Sequence, residues 1–211
     1  MKNILKKIDK QKIINVIIVL FIISLYVFTF LFIYNSFRER KRKEIENGLL
    51  NKVDKVINEN KKKDITSNDS SSNVVINYNG FNYTVLGKLI VKKINMNVPI
   101  LKENNDASYN TSAVKISGPP LNEYGNVAIG GHNFMKGEFM IKIMKLTNND
   151  VITITDLTGR SVNYYVYEFK TTSIDDASYL IQPDNKNEKI VTLVTCTKGG
   201  KQRYYVKAKA K

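Results

Sequence analysis

The feature that most restricts the fold of this chain is a run of 25 residues without a charge, Ile13–Phe37. A helix rises about 1.5 Å per residue, so a helix of this length can cross a hydrocarbon core of about 30 Å. A cleaved signal peptide would have a shorter apolar region that ends in small residues, whereas this run continues into Arg38-Glu39-Arg40. We therefore predict an uncleaved transmembrane anchor at residues 13–37 that binds the lipid membrane, after a basic tail at residues 1–12.

The charges that flank this run do not decide its orientation. The positive-inside rule compares Lys and Arg on the two sides of a span. Here five cations precede the run and five follow it closely: Lys2, Lys6, Lys7, Lys10 and Lys12 on one side, and Arg38, Arg40, Lys41, Arg42 and Lys43 on the other.

Residues 38–73 connect the anchor to the rest of the chain. Ile45, Leu49, Val53 and Val56 form a narrow apolar stripe at helical spacing, which we interpret as a stalk or a weak self-association seam on a juxtamembrane helix. Residues 61–73 are polar and Ser-rich, a composition typical of a flexible linker. The folded domain is then predicted at residues 74–211.

The net charge of +14 is shared equally between residues 1–73 and 74–211, at +7 each. The first part is clustered around the apolar run and suits anionic lipid headgroups. The second is spread along the domain and indicates a solvated surface able to meet an anionic envelope polymer. Because no recognition motif accompanies the charge, we predict no nucleic-acid binding.

The domain is predicted to be mainly β. Short runs rich in Val, Ile, Tyr, Phe and Thr are separated by Gly, Asn, Asp or Pro, which is the pattern of successive strands. Eight such runs favour a closed or nearly closed barrel, and only residues 106–114 and 138–146 have a helical pattern. The runs are Phe81–Leu86, Lys88–Ile94, Val98–Leu101, Asn126–Ile129, Val151–Thr155, Ser161–Phe169, Lys189–Cys196 and Arg203–Ala208.

The chain has one Cys and one His. No disulfide can form within it, and a Cys/His zinc site would lack ligands, so we predict neither a metal nor a cofactor. Cys196 and Arg203 flank Gly199-Gly200, a pair suited to a two-residue hairpin turn. Such a turn pairs residues whose numbers sum to 399, so Cys196 would face Arg203 across the hairpin. A guanidinium beside a thiol favours its reactive thiolate form. The alternative is that Cys196 is a small buried apolar residue and Arg203 a surface residue.

His132 follows a predicted strand that ends in Gly130-Gly131. Paired glycines allow a tight turn that presents the next side chain at the strand end. A single His is often only a hydrogen-bonded structural residue. This one is nevertheless the only imidazole available for proton transfer near neutral pH.

The stretches Gly131-His132-Asn133 and Thr192-Leu-Val-Thr-Cys196, with Arg203 seven residues later, resemble the signature of the sortase family in order and spacing. The resemblance extends over most of residues 87–208, although many sortases have Gly where Asn149 stands. It implies an eight-stranded sortase-like β-barrel with one or two short helices, preceded by the transmembrane helix.

The resemblance also implies a cysteine transpeptidase that cleaves an LPxTG-like sorting signal through a thioester and passes the acyl group to an amine of peptidoglycan or of another protein. Cys196 would be the nucleophile, His132 the proton carrier, Arg203 the stabiliser of the transition state and Thr195 a substrate contact. Sorting signals are met outside the membrane, which implies a single-pass type II protein with an extracellular catalytic domain. The short Cys-to-Arg connection is compatible with housekeeping, class B and class D members.

Two other functions stay open at this stage. An L,D-transpeptidase or an envelope cysteine peptidase also uses Cys and His. However, the former usually has Arg two residues after its Cys, and papain-like peptidases usually have Cys before His. The second alternative is a membrane-anchored binding domain without catalysis, in which Cys196 would be structural.

Overall fold

The structure is a computed structural model that describes residues 10–62, 74–78, 80–134 and 138–211. The chain divides into two compact units, Met1–Arg42 and Lys43–Lys211. Helix α1, Lys10–Lys62, contributes to both. The predicted linker is mostly outside the described residues, which resume at Val74.

The first unit contains the apolar part of α1. Within the described residues, α1 is the one helix long and apolar enough to cross a membrane. Its apolar side chains between Ile13 and Phe37 are exposed, as lipid-facing residues would be. The Thr29 hydroxyl donates to the carbonyls of Leu25 and Tyr26 at 2.9 Å, so this polar group is satisfied within the helix, as hydrocarbon surroundings require.

The last part of α1 belongs to the second unit and packs on the barrel. Leu49, Val53 and Ile57, spaced by four residues, are buried in an apolar cluster with side chains of the first strands. Full burial of such a side chain contributes about 1.5–3 kcal/mol. The apolar stripe was predicted correctly, but its interpretation as a stalk or self-association seam is wrong, because its partner is the barrel of the same chain.

The second unit contains eleven strands among the described residues. They are β1 Val74–Tyr78, β2 Phe81–Val91, β3 Met96–Leu101, β4 Ala113–Ser117, β5 Gly125–Gly130, β6 Asn133–Phe134, β7 Glu138–Phe139, β8 Val151–Asp156, β9 Ser161–Ser173, β10 Lys189–Thr197 and β11 Gln202–Ala210. The one-turn helix α2 is Asp106–Tyr109, and short 3₁₀ turns lie at Lys92–Ile94, Met140–Lys145, Ser178–Leu180 and Lys198–Gly200.

Eight strands close into a barrel. Their order is β2-β3-β4-β5-β10-β11-β9-β8, and a β2–β8 pairing completes the circle. Most neighbours are antiparallel, while β3–β4 and β5–β10 are parallel. β1 extends the sheet beside the first half of β2, and β6 pairs with β7 separately. The eight-stranded β-barrel predicted from the sequence is confirmed.

The barrel interior is filled by one large apolar cluster that draws on every strand of the barrel, with Leu89, Ile100, Ile129, Leu193 and Val206 among its fully buried members. On β11, alternate residues Tyr204, Val206 and Ala208 point inward, as the two-residue period of a strand requires. Arg203 and Tyr205 therefore lie on the opposite, outer face.

Several predicted elements differ from the observed ones. The first two predicted strands are one, β2, which continues through Gly87 with a bulge. The first predicted helix is shorter than expected and ends at Tyr109. After it, the hydroxyls of Thr111 and Ser112 donate to nearby carbonyls and the chain turns into β4. Neither β4 nor β1 was predicted from the sequence. The second predicted helix is β7 followed by a 3₁₀ turn.

Candidate active site

The β10–β11 hairpin brings Cys196 and Arg203 together. The two residues are direct partners across the hairpin, so the register predicted from the glycine pair is confirmed. Gly199 has φ 65 and ψ 31, and Gly200 has φ 89, the positive angles of a type I′ turn. Such angles are readily adopted by glycine, which explains why the pair fixes this register.

The thiol lies beside the guanidinium. Arg203 Nη1 is 3.6 Å from Cys196 Sγ, within hydrogen-bond range for sulfur, and both residues are partly exposed. Arg203 Nε donates to the carbonyl of Ile174 at 3.4 Å, which holds the other edge of the planar group. A guanidinium has five N–H donors, so these contacts do not exhaust it. The pair can therefore hold a sulfur anion and still donate to a bound oxygen.

The turn that follows β9 supports Arg203 from the other side. Asp176 accepts hydrogen bonds from the Thr172 hydroxyl and, at 2.7 Å, from the Ser178 backbone amide. These bonds, the Thr172 bond first, lower the pKa of Asp176 to about 2. Thr172 is the cross-strand partner of Arg203. The Asp176 carboxylate thus fixes the turn whose Ile174 carbonyl binds the guanidinium.

His132 lies on the segment that leaves β5, and the residues on both sides of it are bound to β10. The Thr195 hydroxyl donates to the Gly131 carbonyl at 3.0 Å. The Asn133 amide nitrogen donates to the Cys196 carbonyl at 2.9 Å. These two bonds bring the half-buried His132 to the end of β10 that carries the thiol.

Gly131 allows the His132 segment to pass close to its neighbours. A Cβ at this position would overlap the side chains of Phe139 and Met140, which follow β6 and close over the segment. Only a residue without a side chain fits between this pair and β10. The glycine before His132 is therefore required by the tight packing.

Thr195 was predicted to contact substrate. It is 1% exposed, and its hydroxyl is donated to Gly131. The structure therefore gives Thr195 a role in holding the His132 segment, while the substrate contact stays a prediction.

Tyr109 is a site residue that the sequence reading missed. Its ring lies 5.5 Å from that of His132, centroid to centroid, at an angle of 46°. Burial raises the pKa of its phenol, as do nearby Tyr179 and Cys196, while Arg203 acts in the opposite direction. No motif marked Tyr109, since it sits 23 positions before His132 in an ordinary helical turn.

A third apolar cluster lies on the outer face of the sheet next to the thiol. Tyr179, Val194 and Tyr205 form it, with Ile116 and Leu180 packed against them. The Tyr205 hydroxyl donates to the Glu168 carboxylate at 2.7 Å. Burial is the main cause that raises the pKa of Tyr205 to about 12, so its phenol stays protonated. Tyr179, Val194 and Tyr205 are all buried, so the cluster packs the Tyr179 loop onto the outer face of the sheet beside the thiol.

The loop that carries Tyr179 is anchored by a buried amide. Asn126 donates from its side chain to the carbonyls of Tyr179 at 2.9 Å and Ile181 at 3.1 Å, and it accepts from the Thr192 hydroxyl at 2.8 Å. Without these three bonds, the buried Asn126 amide and its partners would lack hydrogen bonds. The wall of the cluster is thus fixed to β5 and β10.

Among residues 10–62, 74–78, 80–134 and 138–211, no group of three or more His, Cys, Asp or Glu side chains is placed to hold a metal ion.

These observations define a class of protein: a closed β-barrel in which a thiol and a guanidinium face each other on a hairpin, with an imidazole-bearing segment bound to the same strand end. The comparisons with known proteins agree. A family model described as the Sortase domain matches residues 89–211, more than half of the chain. The chain belongs to the sortase family.

Known relatives share the fold over most of the barrel. Sortase A of Listeria monocytogenes is 30% identical over 116 residues, which cover 54% of this chain and 50% of that protein, so the chain spans about half the length of this curated relative. The structure of a Clostridium perfringens sortase D5 transpeptidase is 30% identical with a TM-score of 0.61, over 80% of this chain and 99% of that one.

Two further structures are more distant. The crystal structure of Listeria monocytogenes sortase A is 25% identical with a TM-score of 0.55, over 60% of this chain and 87% of that one. Sortase C-1 of Actinomyces oris is 19% identical with a TM-score of 0.54, over 60% and 73%, and supports the fold alone.

Proposed function

We propose that this chain is a membrane-anchored cysteine transpeptidase. It cleaves an LPxTG-like sorting signal of surface proteins through a thioester on Cys196 and transfers the acyl group to an amine of the cell wall or of another protein. The observation that carries the proposal is the 3.6 Å contact between Cys196 Sγ and Arg203 Nη1, at the strand end to which the His132 segment is bound.

In the first half of the reaction, Cys196 Sγ attacks the carbonyl carbon of the scissile Thr–Gly amide as a thiolate. The negative charge that develops on the carbonyl oxygen is stabilised by the Arg203 guanidinium, whose forked N–H donors suit an oxyanion. The C–N bond then breaks, the imidazolium of His132 gives its proton to the departing amine, and a thioester remains on Cys196.

In the second half, an amine acceptor attacks the thioester carbonyl. Neutral His132 takes the proton that the amine loses, Arg203 again binds the oxyanion, and the C–S bond breaks to restore the Cys196 thiolate. Atoms and charges balance without a metal or a cofactor.

The proposed placement in the cell is a single-pass type II membrane protein with the barrel outside. The apolar part of α1 supports the anchor. Because Cys196 is the only cysteine, a membrane-impermeant maleimide applied to intact cells reports the side on which the barrel lies. We expect labelling without lysis, and labelling that requires lysis would contradict this topology.

The proposed activity is tested by intact-mass spectrometry of the full chain in detergent, after exposure to a library of sorting-signal peptides. We expect one acyl fragment to add to the chain and to be released as a ligated product when an amine is supplied. Cys196→Ala should keep the fold and show no adduct.

The same experiment separates the alternatives. An envelope cysteine peptidase would release hydrolysed peptide without ligation to any amine offered. An L,D-transpeptidase would react with a peptidoglycan stem peptide and not with the library. A binding domain would show no adduct with either, and its Cys196 would stay unmodified.

A further inference from the structure

The helical turn α2 holds Tyr109 in a fixed place. The Asn105 side chain caps the turn by accepting from the Ser108 amide at 2.9 Å. After the turn, the Thr111 hydroxyl donates to the Ala107 carbonyl at 2.8 Å, and the buried Ser112 hydroxyl donates to the Pro99 carbonyl at 2.7 Å. The backbone on both sides of Tyr109 is therefore held in place by hydrogen bonds.

The Tyr109 ring is supported on one side and meets His132 on the other. It packs against the apolar cluster that contains Leu49 and Val53 of α1 with Leu101 and Val114 of the barrel. In the other direction it contacts the imidazole with the rings tilted by 46° at 5.5 Å, a geometry that aromatic pairs favour over a face-to-face stack. The imidazole of His132 thus contacts a ring that packs on the apolar cluster behind it.

Burial is the largest cause of the raised pKa of the Tyr109 phenol, and groups of the site act on it as well. The groups that act on its ionisation are Tyr179, Arg203 and Cys196, which belong to three different elements.

We propose that Tyr109 is a positioning residue for His132: its ring holds the imidazole in the orientation that proton transfer beside Cys196 requires. The importance of this orientation for turnover rests on the proposed transpeptidase function. An aromatic pair of this kind contributes enough to change an orientation-dependent rate by roughly 2- to 13-fold.

The variants separate the ring from the hydroxyl. Tyr109→Leu keeps apolar volume but removes the ring, and we expect kcat to fall roughly 2- to 13-fold with an unchanged KM for the peptide. Tyr109→Phe keeps the ring and should stay within about twofold of the wild type. Tyr124→Leu is the matched control, because Tyr124 is 57% exposed and lies outside the site.

A second readout does not depend on activity. The chain has one His, so the imidazole carbon and nitrogen signals in an NMR spectrum of the full chain in detergent belong to His132 alone. We expect these signals to shift in Tyr109→Leu, to stay near the wild-type positions in Tyr109→Phe and to be unaffected in Tyr124→Leu.

The outcomes are distinguishable. Unchanged imidazole signals in Tyr109→Leu would overturn the positioning role whatever the activity, and so would an equal loss of kcat in the Phe and Leu variants. If Tyr109→Leu does not fold, a nuclear Overhauser effect between the two rings in the wild type decides, and its absence overturns the proposal. An inactive wild type with the expected NMR shifts would instead count against the proposed function only.

Discussion

The two halves of the candidate site are assembled in different ways. Cys196 and Arg203 are seven residues apart on one hairpin, and a glycine turn fixes their register. His132 is brought to the same place by bonds between residues 63 and 64 positions apart in the chain, Asn133 to Cys196 and Thr195 to Gly131. The first half depends on local sequence, whereas the second depends on the finished barrel.

Because of this difference, substitutions in the two halves should have different effects on activity and stability. A substitution at Cys196 or Arg203 acts on the reacting groups themselves, and we expect the fold to tolerate it because both side chains are partly exposed on the outer face. A substitution in the supports of His132 acts on packing and hydrogen bonds inside the barrel wall. It should therefore lower stability together with activity.

Among variants that keep the thiol, the largest effect is expected for Arg203→Lys. A single ammonium replaces the forked donors, so it cannot bind the Ile174 carbonyl and an oxyanion in the same geometry. We expect kcat to fall by about 10²- to 10³-fold, the loss found for a missing oxyanion donor, with no change in unfolding. Steady-state kinetics with the best sorting peptide measures it, and wild-type turnover would remove Arg203 from the oxyanion role.

Next in size is Thr195→Val, which keeps the shape of the side chain but removes the donor to the Gly131 carbonyl. Leaving a buried acceptor unpaired should lower the free energy of unfolding by about 1–3 kcal/mol. Urea unfolding of the full chain in detergent, followed by near-UV circular dichroism, measures it.

The control for Thr195 is Thr153→Val, where an exposed hydroxyl donates to Asn163. This variant should change stability by no more than about 0.5 kcal/mol. Equal stabilities for the two variants would mean that the Thr195 bond does not support the His132 segment.

A smaller effect is expected at the hairpin turn. Gly199→Val forces a β-branched residue to φ 65, which should cost about 1–2 kcal/mol. Gly199→Asn tolerates this conformation and is the matched control. Urea unfolding compares the two. If Val were as stable as Asn, the turn would not be set by the glycine conformation and the local origin of the Cys196–Arg203 register would be wrong.

The smallest effect concerns acid stability at the turn behind Arg203. The pKa of Asp176 is about 2 in the folded protein, below the value of about 3.9 for an unfolded Asp. Its stabilising contribution is therefore present above pH 4 and is lost as the pH falls toward 2.

Asp176→Asn should accordingly lose less stability than the wild type between pH 5 and pH 2, as measured by thermal unfolding. Asp175→Asn, at the exposed neighbouring position, is the control and should follow the wild type. A wild-type slope in Asp176→Asn would show that the Thr172 and Ser178 bonds do not hold this carboxylate ionised.

The sequence allowed the local half of the site to be predicted in detail. Gly199-Gly200 dictates a turn type, and the turn type dictates that Cys196 faces Arg203, so no distant part of the chain had to be known. The barrel could also be predicted, since alternating apolar strands of this number have few other ways to bury their inner faces.

The distant half could not be predicted in the same way. Neither Tyr109 nor the Thr195–Gly131 bond has a sequence signature, because each depends on strands that meet only after closure of the barrel. The packing of Leu49 and Val53 was missed for a related reason: an apolar stripe shows that a partner exists, but not which surface provides it. β4 was missed because its few residues follow directly on a helical turn.

The most direct test of the account is an NMR comparison of the full chain before and after Cys196 is capped with a small methylthio group. The single imidazole belongs to His132, and the Arg203 side-chain signal is assigned from Arg203→Lys. If the thiol, guanidinium and imidazole share one site, capping shifts the signals of both His132 and Arg203 and leaves the exposed Arg38 unchanged. If both sets of signals stay where they were, the three groups do not meet and the account is contradicted.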